Sequence, residues 1–159
     1  MTAPVVHASF SVERIYPVQP ARVFQAFADP DAKRRWFVEG EGFEVRSYHH
    51  DFRIGGREES RFQFLGNDQL GPTPMGNDTV YLDIVPNERM VIAYAMTMAG
   101  RPFSASLATI ELEPVAEGTR LVYTEQAAFL EGSDGPALRE DGVRQLLEAL
   151  AGELEANGA

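Results

Sequence analysis

The sequence contains no cysteine, which excludes disulfides, thiolate zinc sites and cysteine nucleophiles. It also lacks any apolar run that approaches the roughly 20 residues of a membrane span. The N-terminal residues Met1 to His7 have neither the basic stretch nor the apolar core of a signal peptide. The sequence therefore predicts a cytoplasmic protein that does not enter a membrane.

Basic residues are scarce, because 14 Lys and Arg stand against 24 Asp and Glu and give a formal net charge of −10. A surface of this sign repels phosphate backbones and anionic lipid headgroups, so we expect neither nucleic acid nor a membrane as a partner. The one dense basic cluster, Lys33-Arg34-Arg35, stands beside Asp29 and Asp31. That neighbourhood is typical of a solvated helix face.

The length of 159 residues is that of one domain. An apolar fraction of 44% is ordinary for a globular protein, so no metal or disulfide is needed to explain a stable core. We predict a single domain over residues 1–159, with an ordered core of about 7–157.

The residue pattern predicts one strand, two short helices and then six more strands. The first strand is His7–Tyr16, Pro20 begins one helix, and Asp29-Pro30 begins a second that runs to about Phe37. Alternating apolar residues and turn signals define the later strands. These are Phe43–Phe52, Arg57–Leu65, Thr79–Val85, Arg89–Met98, Phe103–Pro114 and Thr119–Phe129. The Gly66–Asp78 loop is expected to be the longest and most mobile.

Beyond Pro136 the apolar period becomes helical. One stripe runs along this helix through Val143, Leu146, Leu147, Leu150 and Leu154. Short loops between successive strands indicate an antiparallel sheet, and the sheet has to cover the apolar face of the helix. The expected fold is therefore α+β, a curved antiparallel sheet of about seven strands around a long C-terminal helix.

Several short motifs follow one another in a characteristic order. They are Glu13-Arg14, Pro20 with Val23-Phe24, Asp29-Pro30, Trp36-Phe37, Asp51 to Gly56, Val85 to Val91, and Glu117 to Leu121. In this order they resemble the SRPBCC (START-like, helix-grip) superfamily, in the branch similar to the activator of a heat-shock chaperone ATPase (Aha-type). The chain departs from the family at Gly142-Val143, where the final helix usually opens with a tryptophan.

The resemblance implies a helix-grip fold but no single activity, since fold does not determine function. Members of the superfamily include carriers of lipids and other hydrophobic ligands, cyclases of aromatic polyketides, and chaperone regulators.

Small side chains on one strand predict a cavity between the sheet and the final helix. Alternation and the family register turn Ser104, Ser106 and Ala108 inward, where small residues fill space poorly. Methionines on the preceding strand adapt to irregular ligands. Ordinary core packing is the alternative reading of the same residues. The predicted lining is Trp36, Phe62, Tyr94, Met96, Ser106, Ala108, Tyr123, Glu125, Val143 and Leu147.

Three polar residues of this set are candidate catalytic groups. Tyr123 and Glu125 share a strand face, and a carboxylate that faces an apolar gap can act as an acid, a base or a ligand anchor. Alternatively, Glu125 lies at the sheet edge, where it is solvated or paired with an arginine. With Tyr94, these groups would serve a cyclase-like or hydrolase-like enzyme. Trp36 either caps the cavity entrance or anchors the short helices.

No metal site or cofactor is expected. His49 and His50 are adjacent and point to opposite faces of a strand, and His49 with Asp51 makes only two ligands on one face. The segment from Asp51 to Gly56 is better explained as a turn.

The sequence leaves three functions open. Binding of a small, largely hydrophobic molecule is preferred, an enzyme that uses the same cavity is the first alternative, and a chaperone-regulating interaction module is the second. A homodimer is also open, because symmetric dimers are common but no residue pattern identifies an interface.

Overall fold

The computed structural model describes residues 4–40 and 42–157. Strand β1 (Val6–Tyr16) is followed by the helices α1 (Pro20–Ala28) and α2 (Pro30–Lys33) and by a π-helical turn, Arg34–Val38. The next strands are β2 (Phe43–His50), β3 (Arg57–Phe64), β4 (Thr73–Val85), β5 (Arg89–Met98), β6 (Arg101–Val115) and β7 (Gly118–Phe129). Helix α3 (Pro136–Asn157) ends the fold. None of the helices in the described residues is long and apolar enough to cross a membrane.

The seven strands form one antiparallel sheet in the order β1-β7-β6-β5-β4-β3-β2. The strand register shifts between Val45 and Ser47 and between Met96 and Thr97, with a third shift in β4. Such irregularities bend a strand and increase its twist, so they help the sheet to curve. The predicted α+β fold of a seven-stranded sheet with a long C-terminal helix is confirmed.

The two short helices begin where the sequence predicts. Pro20 lies at the start of α1, and Asp29 caps α2 by accepting a hydrogen bond from the Ala32 amide at 3.2 Å. The second helix, however, is α-helical only to Lys33 and continues as the π-helical turn. Within that turn the Trp36 Nε1 atom donates to the Ala26 carbonyl at 2.8 Å, which fixes the turn onto α1.

The core lies at one end of the sheet, under α1 and α3. Its fully buried members include Val12, Val23, Leu121 and Leu150. Helix α3 packs mainly against β1, the π-helical turn and α1. The Tyr16 hydroxyl ties β1 to α3 by donating to the Leu147 carbonyl at 2.8 Å. Because the helices cover this end of the sheet, the inner faces of β3 to β5 are left to line a cavity.

The prediction of a long loop over Gly66–Asp78 is wrong, because β4 begins at Thr73. Residues 73–78 pair with β3 and part of the segment pairs with β5, for example Asn77 with Met96. The sequence did not predict this half of the strand because it contains Pro74 and Gly76, and both residue types usually weaken a strand.

Gly118 is expected to be the glycine least tolerant of substitution. Its φ is +138°, and a Cβ atom would lie 2.2 Å from the Tyr16 carbonyl oxygen. We expect Gly118→Ala to lower the free energy of unfolding by about 3 kcal/mol, the upper end of the cost of a strained residue. Urea unfolding measures the change, and Gly152→Ala is the control, since a Cβ in this part of α3 meets nothing within 4 Å. The control should gain about 0.5–1 kcal/mol. Similar unfolding midpoints for the two variants would contradict the prediction.

Candidate functional site

A cavity of about 740 Å³ lies between the inner face of the sheet, the π-helical turn and α3. Its volume is within the range of about 300–1,000 Å³ that is usual for small-molecule sites. Apolar side chains make most of the wall. They include Phe27, Trp36, Phe37, Val38, Phe43, Phe62, Ile92, Met96, Ile110, Val143, Leu146 and Leu147.

Seven of the ten predicted lining residues face this cavity. They are Trp36, Phe62, Tyr94, Met96, Tyr123, Val143 and Leu147. Trp36 anchors the short helices, which is one of its two expected roles, and it also forms part of the cavity wall. Its role as a cap of the cavity entrance stays a prediction.

The other three predicted residues, Ser106, Ala108 and Glu125, are buried outside the cavity wall. Strand alternation placed them correctly on the inner face of the sheet. The structure corrects their position relative to the cavity, because Tyr94 and Tyr123, which do line it, hydrogen-bond to Glu125 with their hydroxyl groups. The alternation of residues along one strand does not predict that larger neighbouring side chains separate these three residues from the cavity.

Glu125 accepts hydrogen bonds from three hydroxyl groups. Tyr94 and Ser106 donate to Oε2 at 2.7 Å each, and Tyr123 donates to Oε1 at 2.8 Å. The Arg139 Nη1 atom lies 3.3 Å from Oε2. Glu125 is fully buried, so the expectation of a sheet-edge carboxylate is wrong, whereas pairing with an arginine is confirmed.

Arg139 connects this carboxylate to the loop before α3. Its guanidinium donates to Asp134 at 2.9 and 3.0 Å, to Ser104 Oγ at 2.7 Å and to the Tyr94 hydroxyl at 3.0 Å. Burial opposes the charge on Arg139, but Tyr94, Asp134 and Glu125 together raise its pKa. Arg139 is therefore a fixed cation at one end of the cavity.

Burial raises the pKa of the Tyr94 and Tyr123 hydroxyls. Both therefore stay protonated at neutral pH and act as hydrogen-bond donors to Glu125. The three candidate catalytic residues therefore lie together, but the Tyr94 and Tyr123 hydroxyl groups are directed to the Glu125 carboxylate.

A second buried ion pair also lines the cavity wall. The Lys33 Nζ atom lies 2.9 Å from Glu58 Oε1, which also accepts a hydrogen bond from the Tyr81 hydroxyl at 2.9 Å. Tyr48 donates to Glu58 Oε2. Only 7% of the Lys33 side chain and 3% of the Glu58 side chain are exposed. The assignment of Lys33 to a solvated helix face is therefore wrong.

The Lys33 pair is stabilised by its surroundings as well as by its charges. The Nζ atom lies 4.4 Å from the centroid of the Phe37 ring, within cation–π range. Burial alone would raise the pKa of Glu58, but attraction to Lys33 and the hydrogen bond from Tyr48 outweigh it and hold that pKa below its ordinary value. Glu58 is therefore ionised at neutral pH.

His50 adjoins this pair through a hydrogen bond of 2.9 Å between its Nε2 atom and the Tyr81 hydroxyl. Burial lowers the pKa of His50 below its ordinary value of 6.5. The unfolded chain therefore binds a proton at His50 before the folded chain does, and stability falls as the pH drops below about 6.5.

We expect His50→Phe to remove this part of the pH dependence below about pH 6.5, where a single proton contributes a slope of at most about 1.4 kcal/mol per pH unit. Urea unfolding at a series of pH values measures the slope. His49→Phe is the matched control, because His49 is exposed on the same strand. An unchanged slope in His50→Phe would contradict the assignment.

Within residues 4–40 and 42–157 there is no group of three or more His, Asp or Glu side chains that could hold a metal ion. The turn predicted from Asp51 to Gly56 is confirmed. The Asp51 amide donates to the Arg57 carbonyl at 2.9 Å, and the Arg53 Nε atom donates to the Asp51 carboxylate at 2.8 Å.

Sequence reasoning missed several polar residues that line the cavity. They are Lys33, Glu58, Ser60, Asn77 and Arg139. Parity could have found two of them, because Glu58 and Ser60 alternate with Phe62, and helical spacing places Arg139 one turn before Val143. Lys33 carries no such signal, since its burial depends on the π-helical turn and on a partner from a distant strand.

The match to a known family covers most of the chain. Residues 17–155 match the family described as Activator of Hsp90 ATPase homolog 1-like protein. The chain belongs to this family. A comparison with curated proteins found no match.

Several solved structures share the fold of this family member. The Mll3558 protein of Rhizobium loti is 48% identical, with a TM-score of 0.84 over 96% of this chain and 100% of that protein. An uncharacterized protein of Rhizobium leguminosarum is 35% identical, with a TM-score of 0.84 over 96% of this chain and 97% of that one. An AHSA1-like protein of Aeromonas hydrophila shares the fold at 18% identity, with a TM-score of 0.66 over 95% and 94% of the two chains. The resemblance in the sequence motifs is thereby confirmed.

Proposed function

We propose that the protein binds one small, largely apolar molecule in the cavity between the sheet and α3. The observation that carries the proposal is a cavity of about 740 Å³ with a mainly apolar wall. A packed protein core leaves few voids larger than a water molecule. A cavity of this volume is therefore not an ordinary packing void.

Binding is favoured over catalysis by the state of the candidate acid–base groups. Glu125 is fully buried, accepts hydrogen bonds from three hydroxyl groups and is paired with Arg139. A general acid or base has to come within hydrogen-bond reach of the substrate. The Glu125 carboxylate would have to lose its partners to do so, whereas a bound ligand requires no such change.

Native mass spectrometry of the protein purified from its host tests the proposal, followed by organic extraction and identification of the released compound. We expect a stoichiometric small molecule that is lost when the protein is denatured. Protein that arrives without a ligand, and whose melting temperature does not change with a diverse library of apolar compounds, would contradict the proposal. A chaperone-regulating role through the outer surface would then be the leading alternative.

A further inference from the structure

The cations of the cavity wall are all paired with carboxylates in the described residues. Lys33 pairs with Glu58 at 2.9 Å, and Arg35 donates to Glu153 at 2.7 Å. Arg139 pairs with both Glu125 and Asp134. A ligand carboxylate or phosphate would either displace one of these partners or add a second negative charge beside it. In both cases a buried negative charge is left without a cation of its own, which is strongly unfavourable. The charges therefore disfavour an anionic ligand such as a fatty acid.

Two adjacent strands turn polar side chains with unused hydrogen-bonding capacity toward the cavity. Ser60 of β3 is paired directly with Asn77 of β4, and both side chains line the cavity. Ser60 is only 3% exposed, yet its hydroxyl group has no hydrogen-bond partner within residues 4–40 and 42–157. The Asn77 amide nitrogen has none in the same part of the chain, although its oxygen accepts a hydrogen bond from Thr79 at 3.3 Å.

The Lys33 ammonium extends this polar surface. Ser60 lies two residues along β3 from Glu58, on the same face of the strand, so the Lys33 pair and the Ser60–Asn77 pair are neighbours. An ammonium group has three N–H donors, and in the described residues Glu58 is the one acceptor that Lys33 reaches by a hydrogen bond. Lys33, Ser60 and Asn77 therefore present spare donors to the same cavity. We call these three residues the donor patch.

We infer that the donor patch binds the carbonyl oxygen of an uncharged ligand whose apolar body lies against Trp36, Ile92 and Leu147. The inference rests on the proposed function and specifies its ligand class. A carbonyl oxygen offers two lone pairs and no charge, so it satisfies spare donors without disturbing the ion pairs. A hydrocarbon of the same shape fills the apolar part of the cavity but leaves the donors of the patch unpaired and without water, which is costly.

Three compounds with one ring skeleton test the inference on the full chain. They are fluorenone, which has a carbonyl group, fluorene, which has none, and fluorenone carboxylate, which is anionic. Trp36 is the only tryptophan of the chain and lines the cavity, so its fluorescence reports binding of each compound. We expect fluorenone to bind at least about tenfold more tightly than fluorene and about 100-fold more tightly than the carboxylate.

The variant Ser60→Ala with Asn77→Leu removes most of the spare donors at similar volume. We expect it to bind fluorene at least as tightly as the natural protein does and to lose most of the preference for fluorenone, since only the spare donors of Lys33 remain. Ser47→Ala is the control, because Ser47 is exposed on β2 outside the cavity wall, and it should keep the preference.

Two results would overturn the inference while leaving the proposed function intact. One is tightest binding of the carboxylate, and the other is a preference for fluorenone that is as large in the double variant as in the natural protein. The comparison of the three compounds on the natural protein needs no variant to fold. If none of the three binds, the inference fails, whereas the proposed function is decided by native mass spectrometry and the library of apolar compounds.

Discussion

Replacing Lys33 with methionine is expected to lower the free energy of unfolding by about 3–5 kcal/mol. The substitution leaves the Glu58 carboxylate buried, with hydrogen bonds from Tyr48 and Tyr81 but without a neutralising cation. Removal of one member of a buried ion pair costs far more than the pair itself contributes, because the remaining charge has lost its contact with water. Urea unfolding at neutral pH measures the change.

The double variant Lys33→Met with Glu58→Leu distinguishes an uncompensated charge from lost packing. It removes both charges, so most of the stability should return, to within about 2 kcal/mol of the natural protein. Arg46→Met is the control at an exposed pair, Arg46 with Glu44, in which each side chain is more than half exposed. Its effect should stay below about 1 kcal/mol. A double variant as unstable as Lys33→Met alone would show that the charge is not the cause.

Replacing Gly142 with tryptophan is expected to weaken the binding of fluorenone at least about 100-fold while the protein stays folded. Gly142 lines the cavity, and a Cβ atom at this position would meet nothing within 4 Å. An indole side chain can therefore enter the space that the ligand would occupy, and the existing core has little need to move. Equilibrium dialysis measures the affinity, and urea unfolding confirms that the fold is retained.

Two controls accompany the tryptophan variant. Gly142→Ala should retain binding and gain about 0.5–1 kcal/mol of stability, because glycine is unfavourable inside a helix. Ala137→Trp adds the same indole at an exposed position of α3 outside the cavity wall, and it should bind fluorenone normally. Undiminished affinity in Gly142→Trp would place the ligand somewhere other than this cavity.

The elements of the fold were predictable wherever periodicity and turn chemistry agreed. The stripe from Val143 to Leu154 predicted α3, and the buried side chains of Val143, Leu147 and Leu150 confirm the face that it turns inward. The first half of β4 was not predictable, because Pro74 and Gly76 read as a loop and the pairing that holds them comes from β3 and β5. The local sequence of a segment does not show how strongly neighbouring strands will stabilise it.

The candidate site was predictable in its apolar part but not in its polar part. The spacing of apolar residues along a strand predicts which of them face inward, as it does for Tyr94 and Met96 on β5. The burial of a charged residue depends instead on a partner that is remote in sequence: Lys33 reaches Glu58 across 25 positions, and Arg139 reaches Tyr94 across 45. A single sequence gives no measure of such pairing, so Lys33 resembled an ordinary surface lysine.

The measurement that tests the central claim most directly is methyl NMR of the protein with labelled methionines, during titration with fluorenone. The chain has five methionines; Met96 lines the cavity, whereas Met90 is buried in the core outside the cavity wall. If the cavity is the binding site, the Met96 methyl resonance shifts saturably and shows contacts to ligand protons, while the Met90 resonance stays in place. A Met96 resonance that does not respond at saturating fluorenone would contradict the account.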